Sequence, residues 1–195
     1  MIVGIDEAGR GPLAGPVAAC ALYLVRQPPF KPRDSKELSA GRREKYFHWL
    51  RDNSVWGLGF AGHVEIDRIN ILQATFLAFE RALSELLNKD PRLKNALFII
   101  DGNRFRTGRD IKYKCVVKAD KTVKAVSCAS IMAKVARDRL MRALDKKYPA
   151  WQFARHKGYP TALHRALIAE HGLSPIHRRS FGPCRKNNEK LSQQI

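Results

Sequence analysis

Asp6-Glu7, Asp101 and Asp120 are the residues of this chain whose types and placing could do chemistry. Each follows a short apolar or alternating run that reads as a strand, so three strand ends carry acids. A single acid at a strand end is an ordinary surface turn. Three such ends in one sheet would be different, because clustered carboxylates repel unless they are protonated or a cation neutralises them. Hard oxygen donors without His or Cys beside them suit Mg²⁺ or Mn²⁺ rather than zinc. Two such ions about 3.5–4 Å apart form the arrangement that cleaves phosphodiesters. Adjacent side chains on a strand point to opposite faces, so Asp6 and Glu7 can share a site only where the strand breaks. Gly9-Arg10-Gly11, with Pro12 and Pro16 behind it, supplies that break, a guanidinium and bare backbone N–H groups.

The charge balance fits a polyanion partner: 36 Lys and Arg against 18 acids, a formal net charge of +18. A basic surface would hold nucleic acid while an acidic pit meets one phosphate. The 195 residues, 45% of them hydrophobic, predict one compact domain with a real core. No apolar run reaches the length of a membrane span, and the N-terminus carries no signal-peptide pattern. Cys20, Cys115, Cys128 and Cys184 lack CxxC spacing and read as reduced thiols of a cytoplasmic protein. A monomer is the default expectation.

The elements that must position the acids follow in order. Residues 2–5 and 17–25 read as a pair of antiparallel strands, and Ser39 caps a helix through residue 50. Residues 55–62 alternate large side chains with glycine, as a closely packed strand does. Leu72, Phe76, Phe79, Leu83, Leu86 and Leu87 form one stripe of a helix over 71–87, closed by Asp90-Pro91. Residues 96–100 are a buried strand and 111–118 a further one. A long helix covers 126–147, small-residue-rich in its first half, and another lies near 161–171. The layout is α/β, a mixed five-stranded sheet flanked by helices. It divides into a catalytic domain over 1–150 and a basic, helical C-terminal extension over 151–195 packed on it, polar from about 183. If strand 96–100 lies parallel beside 2–5, Asp6 and Asp101 emerge at the same carboxyl end, where α/β sheets build sites.

The run from Gly4 to Val17 (Gly-Ile-Asp-Glu-Ala-Gly-Arg-Gly-Pro-Leu-Ala-Gly-Pro-Val) resembles the opening signature of ribonuclease HII, the bacterial-type type 2 ribonuclease H. Asp34-Ser35-Lys36, Asp101-Gly102-Asn103, Lys118-Ala119-Asp120, the block Ala129 to Asp138 and His156 to Thr161 resemble that family in the same order. The resemblance implies a ribonuclease H-like fold. It also implies an endoribonuclease that cuts the RNA strand of RNA–DNA hybrids and cuts 5′ to single ribonucleotides embedded in duplex DNA. Asp6, Glu7, Asp101 and Asp120 would take the metal-binding and catalytic positions, with two Mg²⁺ or Mn²⁺ ions in the reacting complex and products bearing 5′-phosphate and 3′-hydroxyl ends. Gly9, Arg10 and Gly11 would sense the ribose 2′-hydroxyl, and Tyr159 would stack on the next sugar.

Other residues carry weaker signals. Lys36 is a candidate phosphate contact, equally readable as a solvated loop lysine. Ser127 and Ser130 are candidate substrate contacts at a helix start, the reading preferred over that of small packing residues. Asp138 reads as an intrahelical brace. His156, His164, His171 and His177 share no ligand spacing and read as surface or phosphate-contacting residues. Arg178-Arg179 with Arg185-Lys186 reads as a basic cluster for a phosphate backbone. The competing reading is a non-catalytic nucleic-acid-binding protein, which explains the charge but not the acids. A transposase-like or type 1 ribonuclease H enzyme would explain the acids but not the Gly9–Gly11 loop.

Overall fold

In the computed structural model, which describes residues 1–32 and 38–185, the extended runs assemble into one mixed sheet. Its strands are β1 (Ile2–Ala8), β2 (Val17–Leu24), β3 (Ser54–Ala61), β4 (Leu97–Asp101) and β5 (Lys112–Val116), in the order β3-β2-β1-β4-β5. The first three pair antiparallel, while β4 lies parallel to both β1 and β5. The condition posed above is met: β4 lies parallel beside β1, from Ile2 opposite Leu97 to Ile5 opposite Ile100. β5 closes the sheet as an edge strand whose Lys112, Tyr113 and Lys114 are exposed.

The sheet is covered on both faces, and the period-2 alternation of its strands decides which residue meets which helix. Helix α2 (His63–Lys89) covers one face, packing Phe79, Leu83 and Leu86 against Val3, Ile5, Ala19, Phe98 and Ile100. Helices α1 (Ala40–Asn53) and α4 (Lys124–Lys147) cover the other, where Phe47, Leu50, Ile131 and Met132 meet Cys20 and Leu22. Gly4 faces α4, and a Cβ there would lie 2.2 Å from the Ala125 carbonyl carbon. The bare Cα lets the start of α4 rest directly on β1, which brings the helix to the acids.

Helix α1 has the expected Ser39 cap, its hydroxyl accepting from Arg42 N–H. Helix α2 starts earlier than its apolar stripe, with Glu65 accepting the Gly62 N–H at 2.9 Å. The stripe from residue 71 marks a restart: Asn70 turns to φ 65° and its side chain accepts from Leu72 and Gln73 N–H. β5 ends earlier than expected, at Val116. Lys118 adopts a left-handed conformation (φ 59°), and the chain enters a short helix, α3 (Ala119–Thr122). Asp120 therefore sits in a helical turn and not at a strand end.

After α4 come α5 (Phe153–His156) and α6 (Ala162–His171), the latter capped by Thr161. This segment is stitched to the loop after β1: Leu13 N–H donates to Gly158, Gly15 N–H to Ile176, and Arg178 N–H to Leu13. All four cysteines are free. Among the described residues no helix is long and apolar enough to cross a membrane.

Candidate active site

The β1–β4 ladder stops at the Ile5–Ile100 pair while β1 continues against β2 through Ala8. Beyond Ile5, β1 is therefore open on its β4 side, and Asp6 and Glu7 lie at that opening. Asp6, Glu7, Asp101 and Asp120 line one cleft of about 280 Å³ with Gly9, Arg10, Gly11, Ser130, Lys134 and Tyr159. Asp101 is the last residue of β4, and its Oδ1 accepts the Ala119 N–H at 2.7 Å. That bond ties the strand end to the start of α3 and puts Asp120 in the same corner. The buried Ser127 hydroxyl donates to the Asp120 carbonyl oxygen. Ser127 thus faces α3 and does not line the cleft. Ser130 does line it, and its hydroxyl bonds to the Asp6 carboxyl.

Burial, then the neighbouring charges of Glu7 and Asp101, push the Asp6 carboxyl well above its ordinary pKa, with Ser130 opposing. Glu7 is raised as well, by burial and Asp101, against the pull of Arg10 3.5 Å away. Lys134, which also lines the cleft, pairs with Asp138 at 2.7 Å, the intrahelical brace expected of that residue. The site is an all-oxygen donor set whose members repel one another, the chemistry that a hard divalent cation relieves. Among the described residues no three His, Cys, Asp or Glu side chains already converge on a point able to hold an ion. The acids line an open cleft, three of them steadied by a local bond: Asp6 by Glu7 N–H, Asp101 by Ala119 N–H, Glu7 by Arg10.

The loop after β1, residues 9–16, is braced from beneath by two arginines that are fully buried. Arg178 donates to the carbonyls of Gly9 (2.7 Å), Arg10 (2.8 Å) and Gly15 (2.9 Å). Arg137 donates to Pro16 (2.9 Å), Lys157 (3.0 Å) and Ala14 (3.2 Å). Gly9 is at φ +95°, and a Cβ there would lie 2.0 Å from Arg137 Nε, so both the turn and the arginine require glycine. Burial and the cation of Arg137 lower Arg178 to about 9, which leaves it charged at neutral pH.

Two expectations fail here. Arg178 is an internal brace and not part of a surface phosphate grip; only Arg179 and Arg185 of that cluster are exposed in the described residues, and Lys186 lies outside them. His156, His164 and His177 are buried, not superficial. Lys36 lies outside the described residues. Lys134 went unnoticed in the sequence, although Ser127, Ser130, Lys134 and Asp138 follow the i+3/i+4 spacing of one helix face.

The fold and its carboxylate cleft define a nuclease of the ribonuclease H class, and the comparisons carry this further. The family model for ribonuclease HII matches residues 3–184. The ribonuclease HII of Acinetobacter baylyi is 45% identical over 188 residues, covering 95% of this chain and 97% of that one. The crystal structure of ribonuclease H2 from Pyrococcus horikoshii superposes with a TM-score of 0.74 at 26% identity, covering 98% of this chain and 99% of that one. Bst-RNase HIII in complex with Mn²⁺ shares the fold, with a TM-score of 0.74 at 18% identity over 98% of this chain and 70% of its own. The chain belongs to the ribonuclease HII family. It is a divalent-metal-dependent endonuclease of the ribonuclease H type, acting on the RNA strand of RNA–DNA hybrids.

Proposed function

We propose that the chain also cuts 5′ to single ribonucleotides embedded in duplex DNA, and that two divalent cations serve the reaction. The observation that carries this reading is the cleft itself. Four carboxylates share it with a glycine-arginine-glycine loop and a half-exposed tyrosine. Asp6, Glu7, Asp101 and Asp120 would hold Mg²⁺ or Mn²⁺, which supply Lewis acidity at a phosphoryl oxygen and a more acidic water. The chain's own groups do the rest. Gly9, Arg10 and Gly11 meet the ribose, whose 2′-hydroxyl is what distinguishes RNA from DNA. Arg10 offers a guanidinium to the adjoining phosphate, and Tyr159 packs on the following sugar, favouring a deoxyribose there. Ser130 holds Asp6 in the orientation its role requires, and Ser127 supports Asp120 from behind. The products carry 5′-phosphate and 3′-hydroxyl ends.

The test is a DNA duplex with one internal ribonucleotide, incubated with Mg²⁺ or Mn²⁺ beside an all-DNA duplex. One cut on the 5′ side of the ribonucleotide, absent from the control, is the expected result. An intact duplex under conditions that cleave a long hybrid would remove the junction role of Gly9–Gly11 and Tyr159.

A further inference from the structure

The segment that presents Tyr159 is built on three buried histidines outside the cleft. His156 and His164 stack with ring centroids 4.1 Å apart and an interplanar angle of 18°. His164 Nε2 lies 3.0 Å from His177 Nε2, and His164 Nδ1 lies 2.9 Å from the Tyr159 carbonyl oxygen. Ser174 N–H donates to His177 Nδ1 at 2.8 Å, with the Ser174 hydroxyl 2.7 Å from the same nitrogen. Gly158 N–H donates to His156 Nδ1 at 3.1 Å, and His156 Nε2 faces the Trp151 carbonyl at 2.8 Å.

Backbone N–H groups can only donate, so they settle every proton in this network. His177 Nδ1 accepts from Ser174 and is bare; its proton is on Nε2. That proton points at His164 Nε2, which is therefore bare, and the His164 proton is on Nδ1, directed at the Tyr159 carbonyl. His156 likewise is bare at Nδ1 and donates from Nε2 to Trp151. A second proton on His164 or His177 would set two N–H groups head to head. The bonds thus run one way, from Ser174 through His177 and His164 to Tyr159. Tyr159 is also held by its N–H to the His156 carbonyl and by Thr161 N–H on its own carbonyl, and its ring centroid lies 5.5 Å from Lys134 Nζ and 5.7 Å from Arg137 Cζ. Lys157 is left-handed at φ 52° and Gly158 at φ +81°, with the Gly158 carbonyl taken by Leu13 N–H at 2.8 Å.

We propose that His164 and His177 are positioning residues for Tyr159: a one-directional hydrogen-bond relay from Ser174 that sets the tyrosine against the cleft, and with it the preference for RNA-to-DNA junctions. The proposal rests on the reading of Tyr159 given above. The relay explains why a chain would bury three imidazoles together with no carboxylate in their hydrogen-bond network. A histidine surrounded by apolar side chains could be replaced by a leucine, whereas a ring with one proton on each route cannot.

Two substitutions at one position separate the relay from plain packing. The asparagine amide reaches the place of imidazole Nδ1, where its N–H can donate to the Tyr159 carbonyl, and the glutamine amide reaches the place of Nε2, where its oxygen can accept from His177. His164→Asn keeps the bond to Tyr159 and loses His177; His164→Gln keeps His177 and loses Tyr159. With Mg²⁺, kcat/KM is measured on a single-ribonucleotide duplex and on a long RNA–DNA hybrid, for wild type, both variants and Tyr159→Ala, alongside thermal unfolding. The relay requires the ratio of the two substrates to fall about fivefold in His164→Gln, in the direction of Tyr159→Ala, and to hold within about twofold in His164→Asn. An unchanged ratio in His164→Gln, or equal falls in both variants, overturns it. If Tyr159→Ala leaves the ratio unchanged, the reading of Tyr159 fails and takes the relay with it; if only His164→Gln is silent, the relay alone fails. Imidazole ¹⁵N shifts of the wild-type protein give an answer that needs no variant to fold. Bare His164 Nε2 and bare His177 Nδ1 are required, and a proton on either overturns the assignment.

Discussion

The two sides of the loop after β1 make opposite use of charge. On the cleft side, Asp6, Glu7, Asp101 and Asp120 crowd together, with Arg10 half exposed 3.5 Å from Glu7. On the inner side, Arg137 and Arg178 are wholly buried and spend their N–H groups on backbone carbonyls, with no carboxylate among those partners. Pairing these acids with these arginines would stabilise the fold and fill the cleft with its own counter-ions. Keeping them apart costs desolvation on both sides. It leaves crowded carboxylates whose mutual repulsion a divalent cation would relieve, and a loop whose Gly9, Arg10 and Gly15 carbonyls are drawn toward Arg178.

Asp101→Asn tests the acid side most sharply. Cleavage of a long RNA–DNA hybrid should fall by on the order of a thousandfold, while the metal-free protein unfolds at an unchanged or higher temperature, since like charges are relieved. Mg²⁺ should raise the unfolding temperature of the wild type and lose most of that effect in the variant. A variant that is both inactive and less stable would mean that the Ala119 bond, not charge, is what Asp101 supplies.

Arg178→Met strikes the other side. Three carbonyls lose their donors at once, and stability should drop by about 3 kcal/mol, read by urea unfolding. Arg178→Lys keeps the charge but not the fork, and should recover only part of the loss. Full recovery by lysine would show that the positive charge, and not the geometry of the brace, is what matters.

The smallest expected effect is in the pH dependence of the histidine layer behind the braces. Burial and the neighbouring imidazoles hold His164 down to about 4 and His177 down to about 3, against an ordinary 6.5. The unfolded chain therefore binds protons near pH 6.5 that the folded chain refuses. The stability these residues contribute is complete above pH 6.5 and declines as pH falls toward 4. Wild type minus His177→Asn, measured by urea unfolding from pH 7.5 to 4.5, should show that decline; a flat difference would mean the rings accept protons without penalty.

Much of this was legible in the sequence, and the misses have physical reasons. The apolar runs marked β1, β2 and β4, and the antiparallel pairing of the first two was expected, whereas the parallel place of β4 beside β1 was only a condition that the fold meets. Three of the four acids sit in or at the end of the strands expected of them. Asp120 does not, because the left-handed turn at Lys118 and the Asp101–Ala119 bond are tertiary events that alternation cannot report. The early turns of α2 were missed because Asn70 interrupts the stripe, although Glu65 three residues after Gly62 was a usable start signal. The inner side was the least legible region. An Arg-Arg pair reads as surface because charged residues are almost never buried without partners. Here the partners are carbonyls more than 160 residues away in the chain, which no side-chain pattern encodes. Histidines 156, 164 and 177 are spaced by no helical or strand period, so nothing short of the fold brings them together.

The edge of the sheet bears on how such a protein survives at high local concentration. β5 leaves one side of its backbone unpaired, the condition under which sheets of separate molecules join edge to edge. Its lysines at 112 and 114 stand exposed along that rim. Two approaching copies would have to bring four ammonium groups together before a single inter-sheet hydrogen bond formed. The same positive charge that suits a polyanion thus keeps the molecules from polymerising while they gather on it.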